Sequence, residues 1–176
     1  ALITTMDYGD PYNINPEQKQ PIGERLAVAA EALVYGKKVE YMGPMFASIA
    51  IARNEATLTF DHVGGGLTKK GDDLTGFFVA GPDRLFREAK AAVKGNKVVV
   101  SSDQVPVIEA VRYGWADYPT GNLMNVEGLP ASPFRTDDYP TLTKPEVEPT
   151  PEKKTEPAKV DGAKPAPPTA APSGKK

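Results

Sequence analysis

The 176-residue chain contains no cysteine, a single histidine, a single tryptophan and no long apolar run. Without Cys there is no disulfide, no thiolate nucleophile and no Cys-ligated zinc. One His excludes a multi-histidine metal site. No apolar stretch approaches the roughly 18–20 residues needed to span a bilayer as a helix, so no membrane span is expected. Positive charge is scarce too: 21 Lys and Arg stand against 23 Asp and Glu, a net charge of −2. A mildly acidic chain without a basic patch argues against nucleic acid as a partner. No secretory leader is visible, and the chain opens on Ala1-Leu2-Ile3-Thr4-Thr5. That opening is expected to lie inside a longer protein whose N-terminal part is missing here, so the lack of a leader says little about compartment.

Proline is plentiful, and nine of the 18 fall in residues 140–176, with seven Lys, five acids and only Leu142, Val147 and Val160 as large aliphatic residues. Such a stretch cannot bury enough apolar surface to offset the entropy of ordering it, and a disordered Pro/Lys-rich tail is expected there. Residues 1–139 then hold 14 basic and 18 acidic side chains.

At the other end, residues 1–6 are short, apolar and β-branched, as in a buried strand. A punctuated loop follows through Asp7, Gly9, Asp10, Pro11 and Asn13. Asn15 suits an N-cap, Pro16 the first helical position, and Gln18 the place where a capping box wants Glu or Gln. Pro21 should disturb the second turn of that helix. Ile22, Leu26, Ala29, Ala30 and Leu33 make an apolar stripe at helical spacing, and Gly36 is a stop signal. Strand, loop and helix are the parts of one α/β layer, with the loop where such folds place ligands. Beyond residue 41 the period changes. Strands are expected at 46–52, 56–60, 76–80, 86–93, 97–101 and 108–113, with turns at 53–55 and 94–96. Short strands at this spacing predict a β-sandwich. Loops are expected at 64–66 and 69–73, and aromatic, Pro-rich coil at 114–139.

Four collinear segments carry a resemblance. They are Asp7-Tyr8-Gly9-Asp10-Pro11-Tyr12-Asn13-Ile14-Asn15-Pro16 with its continuation to Leu26, then Phe60-Asp61-His62-Val63-Gly64-Gly65-Gly66-Leu67, Val111-Arg112-Tyr113-Gly114-Trp115-Ala116, and Gly128-Leu129-Pro130-Ala131-Ser132-Pro133-Phe134-Arg135-Thr136-Asp137. In this order they resemble the C-terminal third of the sialate O-acetylesterase family of SGNH hydrolases. The resemblance implies an α/β fragment, the last strand and helix of an SGNH (flavodoxin-like) sheet at 1–38. A small β-sandwich accessory domain with a return segment follows at 39–139, and the disordered tail at 140–176. It also implies an O-acetylated carbohydrate substrate, no metal or organic cofactor, a Ser nucleophile in the missing N-terminal part, and a secreted or periplasmic location.

The position matching the family's catalytic His is Asn15, and Asn13 stands where an acidic residue is often found. An amide cannot take a proton from a Ser hydroxyl at neutral pH, whereas an imidazole with a pKa near 6.5 can. The general base is thus absent from its expected place, although Asn15 has a structural explanation as an N-cap. Asp10 is a candidate for orienting a base or a sugar hydroxyl, or simply makes an Asp-Pro turn. His62 is either a rescue base or substrate contact, or a loop residue ending a strand. Tyr113, Trp115 and Tyr118 are either a sugar-stacking platform or core or interdomain packing. Gly64-Gly65-Gly66 lacks the Lys-Ser/Thr of a phosphate loop and reads as a hairpin. Arg112 is expected to pair with an acid; Glu24 and Arg25 are expected to face solvent. Two function classes stay open: a carbohydrate O-acetylesterase part that is inactive as this isolated chain, and a noncatalytic carbohydrate-binding or scaffold module.

Overall fold

Alternation of apolar and polar side chains over 55–61 is what a strand with one buried face requires, and that run pairs with the β-branched run Val98-Val99-Val100 at the centre of the fold. The computed structural model describes residues 2–140, and Ala1–Tyr139 form one compact unit. The expected disorder of the tail concerns residues that, Pro140 aside, lie outside those described.

One antiparallel sheet runs in the order β1 (Met45–Ala52), β2 (Glu55–Asp61), β7 (Lys97–Ser101), β6 (Lys90–Lys94). A second runs β10 (Phe134–Arg135), β8 (Ala110–Tyr113), β4 (Phe77–Ala80), β5 (Arg87–Glu88). A ribbon pairs β3 (Leu67–Lys69) with β9 (Leu123–Asn125). The buried faces of both sheets and the ribbon share one core, with Leu58, Val98, Val100, Phe77, Val79, Val111, Tyr113 and Leu123 at its centre. Phe134 stacks on Phe46 with centroids 4.6 Å apart, closing the core across β1 and β10. The β-rich body expected after residue 39 is therefore present, made of antiparallel sheets.

Several expectations need correction. Residues 86–93 are not one strand: β5 joins one sheet and β6 the other. Between them the Ala89 N–H bonds the Phe77 carbonyl at 3.0 Å, so the chain changes sheets at this residue. The segment 114–139 is not all coil, since it holds β9 and β10, and β3 lies in a stretch left without a strand. Three strands of two or three residues are too short to show a period. No strand forms at 2–5; a strand exists only as a member of a ladder, and nothing pairs with this segment among the described residues. A short 3-10 helix, Met6–Tyr8, follows instead.

The helix also differs. It is α1 (Gln20–Leu33), with Lys19 at the N-cap and no side-chain cap. A helix begun at Pro16 would have needed the N–H that Pro21 lacks and would have set its ring against the Glu17 carbonyl. Starting at Gln20 puts Pro21 in the first turn, where N–H groups have no intrahelical partner anyway. Asn15 is therefore not the N-cap. At the far end Gly36, at φ 67°, turns the chain away as expected.

Candidate functional site

The loop carrying Asp10 and Asn15 is fixed at its base and open at its tip. At the base, Arg25 of α1 donates from Nη1 to Asp7 Oδ1 at 2.7 Å and from Nη2 to Asp7 Oδ2 at 2.6 Å, and also from Nη1 to the Thr4 carbonyl at 2.7 Å. Its guanidinium lies 4.8 Å from the Tyr8 ring centre. Arg25 is only 8% exposed, which corrects its placement in solvent. The hydrogen bonds to Asp7 hold its pKa above the usual arginine value against the cost of burial. The buried residues of the helix are thus Arg25, which lies off the apolar stripe, and Ala29 of the stripe, while Leu26 and Leu33 are exposed.

Above this anchor the loop folds on itself. The Asp10 carboxylate accepts the Tyr12 N–H at 2.8 Å, and Asp10 bridges Asn13. Asn13 Oδ1 accepts the Asn15 N–H at 2.9 Å. Both are turn-forming uses of a short polar side chain. The Asn15 side chain makes no hydrogen bond among the described residues and is exposed, and Tyr12 is 97% exposed. Asp10 and Asn15 therefore share one solvent-facing loop, with the Asp10 carboxylate spent on its own turn.

Two of the other resembling segments, 111–116 and 128–137, meet the same region, and 60–67 is tied to the second of them through Asn125. Thr4 Oγ1 and Ser132 Oγ are 2.9 Å apart, tying the N-terminal segment to the return segment. A Cβ at Gly114 would stand 3.1 Å from the Met6 side chain, and one at Gly9 3.7 Å from Tyr118 Cε2, so the loop after β8 lies against residues 6–9. Asn125, fully buried, donates to the Met42 carbonyl at 3.0 Å and the His62 carbonyl at 3.3 Å, and accepts the Leu129 N–H at 2.9 Å. Gly43 must be Gly: a Cβ there would lie 1.8 Å from the Pro130 carbonyl oxygen.

His62 follows directly on β2. Its Nδ1 is 3.0 Å from Glu40 Oε1 and its ring meets Tyr41 edge-on at 5.9 Å. This is the hydrogen bond that orients a histidine base, but no Ser or Thr hydroxyl bonds the ring among the described residues, and the pair explains itself as a brace for the chain before β1. Glu40 was not foreseen; 22 residues separate it from His62, and no local pattern links them.

The aromatic trio divides. Tyr113 is fully buried and its hydroxyl accepts the Leu123 N–H at 2.9 Å, with burial pushing its pKa up. A Cβ on Gly121 would stand 2.6 Å from that hydroxyl, so a Gly is required there. Tyr113 is thus core and no platform residue. Trp115 and Tyr118 remain 44% and 46% exposed. Arg112 finds its acid: Nε and Nη2 donate to the two oxygens of Asp137 at 2.8 and 2.7 Å, while its guanidinium covers Phe86 at 3.9 Å.

No family model matches the chain. No curated protein matches it. Among solved structures, the crystal structure of a carbohydrate acetylesterase from Xanthomonas citri is similar at 41% sequence identity and a TM-score of 0.73, over 76% of this chain and 31% of that one. The chain spans about a third of the acetylesterase it matches, and it is related to that part of a carbohydrate esterase.

Proposed function

We propose that this chain is the C-terminal part of a carbohydrate O-acetylesterase, with residues 1–38 closing an SGNH-type hydrolase domain and 39–139 forming its accessory β-domain. The observation that carries this reading is the 41% identity to a carbohydrate acetylesterase over 76% of the chain. The resemblance of residues 7–26 to the last catalytic block of the sialate O-acetylesterase family supports it and makes O-acetyl esters of sialic acids the first substrates to try. The exposed Leu26 and Leu33 of α1, with Val34 and Tyr35 just beyond its end, suit a helix that packs against a sheet supplied by the preceding part of the polypeptide. A secreted or periplasmic location goes with the same reading.

Acyl transfer needs a nucleophile and a base within hydrogen-bond reach of each other. Here the expected base position holds Asn15, and the nucleophile segment is not among these residues. Purified 1–176 is therefore expected to hydrolyse neither p-nitrophenyl acetate nor an O-acetylated sialic acid, while the longer protein hydrolyses both. Turnover by 1–176 that disappears on changing one Ser would overturn the assignment of roles.

The Asn at position 15 specifically favours a second reading, a degenerate relative that binds carbohydrate without cleaving it. The longer protein decides between them: sugar-ester hydrolysis supports the esterase, and saturable sugar binding without hydrolysis supports the binding module.

A further inference from the structure

We propose that Trp115 and Tyr118 are the surface on which the pyranose ring of the ester substrate stacks, an inference that rests on the acetylesterase reading above. Both sit on the loop that leaves β8, three residues apart. The same run of sequence contributes Tyr113 wholly to the core, with its hydroxyl satisfied. The fold therefore buries an aromatic from this segment where it needs one, and leaves the next two about half in water. An aromatic ring contributes most when its 150–250 Å² leaves water, and two aromatics three residues apart, both half in water on a loop beside a polar one, suit a ligand with an apolar face and a hydroxylated rim.

Position and rigidity point the same way. Tyr118 lies against Gly9, the residue before Asp10, so the ring stands beside the loop that holds Asp10 and Asn15. The Trp115 ring is held by Arg135, whose guanidinium carbon is 5.3 Å from the ring centre. Arg135 is itself fixed by donating to the Tyr139 carbonyl at 3.1 Å. A surface held in place before the ligand arrives loses little freedom on binding. A sugar ring placed on it keeps its hydroxyls at the wet rim, beside the exposed side-chain amide of Asn15.

Trp115 is the single tryptophan of the chain, so its fluorescence reports the surface directly. Chain 1–176 is titrated with an O-acetylated N-acetylneuraminic acid and, separately, with an O-acetylated xylo-oligosaccharide. At least one is expected to change the emission saturably, and Tyr118→Ala to weaken that complex roughly 3- to 10-fold, the loss expected of one aromatic contact. Tyr118→Phe should bind as the native chain does. Emission unmoved by either sugar up to its solubility limit, or unmoved affinity in Tyr118→Ala, overturns the proposal. In the longer protein Tyr118→Ala is expected to raise KM for the sugar ester more than it lowers kcat. Sugar-ester hydrolysis with KM unchanged by Tyr118→Ala would sink the stacking surface and leave the esterase standing. Absence of all hydrolysis would sink the esterase, and the fluorescence titration would still decide the surface.

Discussion

Asn15 and Asp137 show how differently two polar residues can be used. Asn15 is exposed, caps no helix and bonds only through its backbone, so replacing it disturbs little. In the longer protein Asn15→His is expected to raise kcat about 10²- to 10⁴-fold, the usual worth of a positioned general base. Because no cap is lost, stability by urea denaturation should stay within roughly 0.5 kcal/mol. No change in kcat would show that the family's residue roles do not transfer to this loop. Asp137 is the opposite case. Its side chain is 1% exposed and takes two hydrogen bonds from Arg112, which hold its pKa below the usual carboxylate range. Asp137→Asn is expected to cost about 2–4 kcal/mol, since it leaves a half-buried guanidinium without its counter-charge. The folded carboxyl binds its proton less readily than the unfolded one, so its contribution is complete above the unfolded pKa near 3.9 and fades as pH falls towards the folded value. The stability gap between native chain and variant should thus hold steady from pH 7 to pH 5 and narrow below about pH 4; a gap that widens in acid would refute this.

The elements that were legible in the sequence are those long enough to display their own period. β2 alternates cleanly over 55–61, β7 shows instead as a β-branched run of three valines at 98–100, and β1 was plain together with the turn at 53–55. β3, β9 and β10 have two or three residues each, and their existence depends on partners 21 to 58 positions away. The start of α1 was misplaced because two local rules conflict: Asn15-Pro16 is a sound start signal, but Pro21 penalises any helix begun that early. The inward face of α1 was misjudged because Arg25 finds its partner 18 residues back, at Asp7. At the site, the loop of Asp10 and Asn15 could be read from its turn residues, whereas the sorting of Tyr113 from Trp115 and Tyr118 could not, because irregular segments carry no period. The exposed side of α1 leads to its own expectation. Leu26→Ser with Leu33→Ser should leave the urea midpoint of 1–176 nearly unchanged, within about 0.5 kcal/mol, since neither side chain lies in its core. The same pair in the longer protein should be clearly destabilising. Equal effects in both would mean that α1 meets nothing further.

For the molecule as a whole, the two ends of the larger sheet are unlike. β6 carries Lys90 and Lys94 along its length, and Leu74 bridges Ala91 on its outer side. β1 reads Met-Phe-Ala-Ser-Ile-Ala-Ile-Ala, without a charge or a proline, and among the described residues nothing pairs with its outer side. Its one irregularity is the register shift between Phe46 and Ser48. Uncharged, regular edges invite intermolecular pairing, and lysine on an edge discourages it. With one end receptive and the other closed, growth cannot propagate: two copies joined β1 to β1 present only their β6 ends outward, and assembly halts there. Concentrated 1–176 should therefore form dimers, not fibres, by analytical ultracentrifugation, and Ile51→Lys should return it to monomers. Long thioflavin-positive filaments would show that β6 is no barrier. The lysines of one strand would thus set the aggregation number of the protein.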